Sequence, residues 1–160
     1  MPIRRNYNLK KDKHDERDFH FMARHLNVNL PEQVDNRHWF SPIRDQGNLG
    51  SCTAFASVGV AFEMLKSKEL LCSIPLNKAP EEFESSFCQG STLFQYQNTL
   101  IQENSFGQDN GATIRDSIKT LAKYGACREE TWPYDIEQFT VKPPSNADRK
   151  STRLNSSHIP

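Results

Sequence analysis

Residues 46–55 read Gln46-Gly47-Asn48-Leu49-Gly50-Ser51-Cys52-Thr53-Ala54-Phe55, and this stretch carries the strongest signal in the sequence. The cysteine follows a serine, which is a good helix N-cap, and an apolar pattern of helical spacing begins directly after it. A glutamine lies six residues before the cysteine, with two glycines between them. Because glycine allows tight turns, the loop can fold back and bring the amide beside a thiol at a helix N-terminus.

Cys52 and Gln46 are therefore the candidate catalytic residues. Unpaired N–H groups and the positive end of the helix dipole favour a thiolate at the first turn of a helix. The backbone N–H of Cys52 and the side-chain NH₂ of Gln46 can supply two donors to a developing oxyanion. The alternative is a buried structural cysteine on a core helix, and these residues alone leave both interpretations open.

The composition excludes several classes of protein. The chain has 160 residues, 36% of them hydrophobic and 25% charged, with a formal net charge of zero, which is typical of one soluble domain. No apolar run approaches the ~18 residues of a membrane span, and no basic stripe interleaved with aromatics indicates nucleic-acid binding. The basic N-terminus precedes no hydrophobic stretch, so we expect no secretory signal and a cytoplasmic location.

No metal site is predicted from the four cysteines. Their spacings match no zinc pattern and no histidine lies among them, so the three outside the motif are expected to be small buried hydrophobes: Cys72, Cys88 and Cys127.

Three segments follow from the distribution of polar and apolar residues. Residues 1–30 are polar and are predicted to form an extended N-terminal arm, and residues 31–147 form the folded body. Residues 148–160 resemble a translated sequencing-adapter oligonucleotide, so we expect a disordered, foreign tail on a truncated reading frame. The alternative for these residues is a natural disordered tail.

The body is predicted to contain three helices. The first begins at Cys52 behind the Ser51 N-cap, and its apolar residues recur at helical spacing: Ala54, Phe55, Val58, Ala61, Phe62 and Leu65. The second helix spans residues 93–101 and the third spans residues 114–122. Thr113 and Asp116 form a capping-box pattern at the start of the third helix, and Gly125 suits its end.

The pattern Gln-Gly-x-x-Gly-Ser-Cys-x-Ala-Phe-Ala resembles the nucleophile segment of papain-like cysteine peptidases. Other segments resemble the same family in the same order along the chain: residues 15–19, 30–37, 109–112, 123–125 and 132–135. The whole pattern is similar to the bacterial and viral branch that lacks a long prosegment. The resemblance implies an α+β, papain-like fold, of which this chain holds the mainly helical N-terminal lobe.

The resemblance also implies a function. The parent protein would hydrolyse peptide bonds in a peptide or protein substrate through a thioester on Cys52, with Gln46 as the oxyanion donor. Gly111, with Asn110 beside it, would pair with the substrate backbone, and neither a metal nor an organic cofactor would be needed.

Three positions depart from the family pattern. Thr53 replaces the usual tryptophan, and Leu49 and Asp109 replace two cysteines that pair in the family. Since both halves of one disulfide are absent together, the fold is expected to suit a reducing compartment.

The family's catalytic histidine follows the cysteine by ~130–150 residues, which places it beyond Pro160. Four histidines precede Cys52 and the fifth lies in the adapter-like tail: His14, His20, His25, His38 and His158. We therefore expect the lobe with the histidine and its orienting asparagine to be missing. The alternatives are a non-catalytic homologue that acts as a binding protein, and another cysteine-dependent acyl-transfer enzyme such as an amidase or transpeptidase.

Overall fold

The computed structural model describes residues 8–19, 31–66, 89–145 and 147. Helix α1 (Cys52–Ala56) runs directly into a π-helical segment (Ser57–Glu63) that stays helical to residue 66. Helices α2 (Thr92–Gln102) and α3 (Ile114–Tyr124) follow, with short 3₁₀ turns at Arg37–Trp39 and Ile136–Gln138. Within these ranges no β-strand forms, which confirms the prediction of a mainly helical lobe. An isolated antiparallel bridge joins Gly90 to Arg128.

The three helices pack on one another around α2, eight of whose eleven residues are buried. One core cluster joins the loop before α1 to α2: Leu49, Ala54, Leu93, Tyr96, Leu100 and Ala112. A second cluster joins the π-segment to α3: Val58, Phe62, Leu121 and Ala126. No helix in the described ranges is long and apolar enough to cross a membrane.

Two buried glutamines of α2 satisfy backbone groups of neighbouring segments. The Gln95 amide donates to the Ser117 carbonyl at 2.6 Å, which fixes α2 against α3. The Gln97 amide donates to the carbonyls of residues 138, 139 and 141, and its oxygen accepts from Trp132 Nε1. These bonds supply donors to carbonyls outside the regular helices, so Gln97 holds residues 132–141 against the body.

The π-segment changes which side chains face the core. A π-helical turn contains more residues than an α-turn, so positions beyond it are rotated relative to an α-helix. Glu63 is consequently buried at 1% exposure, whereas Leu65 is 41% exposed. Leu65, which recurs at helical spacing with the other apolar residues of this helix, therefore lies outside the core. A Cβ added at Gly59 would meet no described heavy atom within 4 Å, so close packing does not require a glycine at this position.

The predicted cap residues of α3 and α1 lie at the predicted positions, but only the α3 cap makes its side-chain hydrogen bond. The Thr113 hydroxyl accepts from the Asp116 N–H, and Gly125 ends α3 with a φ of +77°. In a capping box the Asp116 carboxylate would accept from the Thr113 N–H, but here Glu103 is the acceptor of that bond. Ser51 lies at the N-cap position of α1, but its side chain makes no capping bond.

Residues 8–19 of the arm lie along the segment that leads into α3. The Lys10 N–H donates to the Ala112 carbonyl at 3.2 Å, and the Lys10 ammonium pairs with Glu103 at 2.7 Å. The Asp12 carboxylate accepts from the N–H of Arg115 in the first turn of α3. The remainder of the arm, residues 67–88 and the adapter-like tail lie outside the described residues.

Replacing Thr113 by alanine removes the cap of α3. We expect a loss of about 1 kcal/mol in the free energy of unfolding, since N-cap threonines contribute in this range. Urea denaturation followed by circular dichroism measures it, with Thr140→Ala, an exposed threonine, as the control. Equal midpoints for the two variants would contradict the capping role.

Candidate active site

Cys52 is the first residue of α1, the position that the sequence pattern predicts for it. Its side chain is a half-buried free thiol. The Ser51 carbonyl accepts from the N–H groups of Ala54 and Phe55, which begins the hydrogen bonding of the helix. The thiol therefore lies at the first turn of a helix, where the backbone N–H groups have no partner within the helix.

The loop before Cys52 folds around the carbonyl of Leu49. This oxygen accepts from the Gln46 amide at 3.0 Å and from the Ser51 N–H at 2.8 Å. Gly47 adopts a φ of +61°, which favours glycine and lets the loop turn back. Since an amide NH₂ carries two donors, the bond to Leu49 leaves Gln46 one proton for another acceptor.

Tyr134 connects the two ends of this loop. Its hydroxyl donates to the Gln46 carbonyl at 2.9 Å and lies 2.7 Å from the Ser51 hydroxyl, which must then be the donor. The Tyr134 ring packs edge-on against Phe55 at 5.0 Å between centroids. Burial raises the pKa of Tyr134 to about 12, so the hydroxyl keeps its proton at neutral pH.

A carboxylate holds the middle of the loop. Asp109 accepts from the Gly50 N–H with both oxygens, at 2.9 and 3.1 Å, and from the Tyr96 hydroxyl at 2.7 Å. Burial and the neighbouring Asp109 raise the pKa of Tyr96, so this phenol also remains a donor. These bonds join the segment that carries Asn110 and Gly111 to the segment that carries Cys52.

An ion-pair network fixes the residues just before Gln46. Arg44 donates to the buried Glu63 at 2.7 Å, to the Gly90 carbonyl at 3.1 Å and to Glu129 at 3.4 Å. Its guanidinium also lies 5.6 Å from the centroid of the Phe55 ring. Burial raises the pKa of Glu129, while the Tyr134 N–H and Arg44 counteract part of that rise.

The arm lies against the predicted substrate-binding residues. Gly111 is buried with a φ of +68°, and an added Cβ would meet the Asn8 carbonyl oxygen at 1.5 Å. Asn110 is exposed, and its amide donates to the Gln108 side chain at 2.8 Å. A substrate role for Gly111 and Asn110 stays a prediction.

The part of the chain that the structure describes shows no cluster of metal-binding side chains. No group of three or more His, Cys, Asp or Glu side chains is placed to hold a metal ion there. His14 is exposed on the arm, in a pocket that it shares with Arg115 and Asp116.

Comparisons with known proteins agree with this geometry. No family model matches the chain. Over 104 residues it is 42% identical to an uncharacterized peptidase C1-like protein of Acanthamoeba polyphaga mimivirus, a match that covers 64% of this chain and 29% of the relative. It is 35% identical over 82 residues to cathepsin K of Mus musculus, covering 47% of this chain and 24% of the relative.

Xylellain, a cysteine protease from Xylella fastidiosa, has a similar structure. The TM-score is 0.57 at 25% identity, and the match covers 91% of this chain and 54% of xylellain. The chain is a homologue of the papain-like cysteine peptidases. The predicted family and fold are thereby confirmed, although the chain spans only 24% to 37% of the length of the curated relatives it matches.

The sequence predicts the position of Cys52 at the start of α1 in this papain-like homologue, but it does not reveal the residues that hold the loop before it. Tyr134 belongs to residues 132–135, a segment that resembles the family but to which the sequence assigns no role at the site. Arg44 and Glu63 were not singled out, although a glutamate within an apolar helix is a signal that a cation lies inside the fold.

Replacing Arg44 by alanine leaves the buried Glu63 charge without its partner. We expect a loss of about 3–5 kcal/mol in the free energy of unfolding, because an unpaired buried charge is strongly destabilising. Arg17→Ala is the matched control, since Arg17 is paired with Asp15 on the surface. Urea denaturation compares the two, and an Arg44→Ala midpoint as close to wild type as that of Arg17→Ala would contradict the argument.

Proposed function

We propose that the parent protein is a cysteine-type peptidase in which Cys52 attacks the carbonyl carbon of a peptide bond. The observation that carries the proposal is the position of Cys52 at the start of α1, directly after a loop that Tyr134 closes at Gln46 and Ser51. A nucleophile needs a fixed position and a site that favours its anion, and this arrangement supplies both.

In the proposed reaction the Cys52 thiolate adds to the substrate carbonyl, and the oxygen becomes an anion. The Cys52 N–H and the second proton of the Gln46 amide stabilise that anion. The intermediate collapses to a thioester as the protonated amine leaves, and water then hydrolyses the thioester to release the acid and the thiol. We place the histidine that moves these protons in a second lobe, outside the described residues.

The proposed partner is a peptide or protein chain that approaches along Asn110 and Gly111. Asp109 supports this placement because its carboxylate joins the segment to the Cys52 loop. We further propose a reducing, cytoplasmic location, since Leu49 and Asp109 stand where the family has paired cysteines.

The test compares this chain with the longer protein that carries a histidine-bearing lobe. In the longer protein, Cys52→Ala should abolish peptidase turnover, and Gln46→Ala should lower kcat by about 10²–10³-fold through the loss of one oxyanion donor. Gln102→Ala, an exposed glutamine at the end of α2, is the control and should leave kcat unchanged.

This chain alone should show no turnover, while iodoacetamide should still alkylate Cys52. Cys52-dependent turnover by this chain alone would place the base within these 160 residues. A longer protein that folds but cleaves no peptide would favour the non-catalytic homologue.

A further inference from the structure

We propose that Asp109 is a positioning residue for the nucleophile: its carboxylate fixes the backbone at Gly50, two residues before Cys52. The inference rests on the function proposed above, because it concerns the geometry of that same site. It adds a residue that touches neither the substrate nor the reacting atoms.

The contact is a tertiary one that the carboxylate makes with both oxygens. Asp109 and Gly50 are 59 residues apart in the chain, so no local turn brings them together. Tyr96, which is fully buried on α2, donates to the same carboxylate. The Asn8 side-chain amide donates to the Asp109 backbone carbonyl at 3.1 Å, so the residue is held from the arm as well. Its position is therefore set by three separate segments.

The negative charge of Asp109 strengthens the hydrogen bond that its carboxylate accepts from the Gly50 N–H. Hydrogen bonds to an ionised acceptor are about twice as strong as neutral ones. The Gly50 N–H belongs to a buried residue, and a buried donor without a partner costs about 1–3 kcal/mol. Removing the carboxylate would therefore force the loop at Gly50 to move until that N–H found water or another acceptor.

Close approach explains why residue 50 is a glycine. An added Cβ would lie 2.8 Å from Asp109 Oδ1 and 3.3 Å from the Asn8 Cβ. Gly50 is not among the glycines with positive φ, so the requirement is for space rather than for an unusual backbone conformation. The contact therefore depends on two residue types: an aspartate at position 109 as the acceptor, and a glycine at position 50 because a side chain there would collide with it.

A displacement at Gly50 would reach both catalytic candidates. Gly50 follows Leu49, whose carbonyl accepts from the Gln46 amide. It precedes Ser51, the N-cap residue of α1. A misplacement of about 1 Å in catalytic groups can lower a rate by about 10²-fold. Because the link is made of hydrogen bonds, a reductant should leave it intact.

The first measurement is hydrogen exchange on this chain. In wild type the Gly50 amide should be protected, and Asp109→Ala should raise its exchange rate at least tenfold. Asp109→Asn keeps one oxygen acceptor and should give an intermediate rate. Glu130→Ala and Glu130→Gln remove an exposed carboxylate and serve as matched controls that should exchange like wild type.

The second measurement is kinetics on the longer protein, with rates divided by the concentration of titratable Cys52. Asp109→Ala should lower kcat by about 10²-fold and change KM by a much smaller factor, since the catalytic groups are displaced while no side chain proposed to bind substrate is removed. A smaller fraction of folded protein would not change the corrected kcat. If Asp109→Ala does not fold, the nearly isosteric Asp109→Asn gives the same comparison with a smaller loss.

The outcomes separate this inference from the proposed function. Wild-type exchange at Gly50 in Asp109→Ala, or an unchanged corrected kcat in a longer protein that is active, would overturn the positioning role. Absence of Cys52-dependent turnover in the longer protein would overturn the proposed function. Exchange at Gly50 would still report whether Asp109 holds the loop.

Discussion

The geometry of the loop over residues 46–51 depends on the Tyr134 hydroxyl, because this group makes hydrogen bonds to both ends of the loop at once. Residues 46–51 form no helix or strand, so side chains must hold their backbone in place. One hydroxyl can act as donor and acceptor together, which lets it take the Gln46 carbonyl and the Ser51 hydroxyl. The separation of Gln46 from the start of α1 is thereby set by a side chain 88 residues away from Gln46.

The supports of the site also hold the fold together. Arg44 joins the loop to Glu63 on the π-segment and to Glu129, while Asp109 joins it to Tyr96 on α2. Each support pairs a charge with groups from distant parts of the chain. Because unpaired buried charges are costly, a loop that left its place would also destabilise the core. Stability and the geometry of the site are therefore coupled in this protein.

Local signals predicted the parts of the structure that local interactions form. The apolar spacing and caps of α3, the position of α2 and the helix start at Cys52 all come from neighbouring residues. Asp109 and Arg44 act through contacts that cross 59 and 19 residues, which no spacing rule reveals. The reversed burial of Glu63 and Leu65 was hidden for the same reason, because the π-segment depends on tertiary packing. The roles of Cys52, Gln46, Gly111 and Asn110 stay predictions.

The π-segment also determines how this helix aligns, residue by residue, with a regular α-helix in a relative. A π-bulge is equivalent to one residue inserted into an α-helix. A relative with a regular α-helix would therefore match this chain residue for residue through Ala56 and fall one position out of step after Glu63. Deleting a single residue between 57 and 63 would restore the α-helical phase, but it would turn the Glu63 carboxylate away from Arg44. Loss of the extra residue would thus also separate the buried ion pair of Arg44 and Glu63.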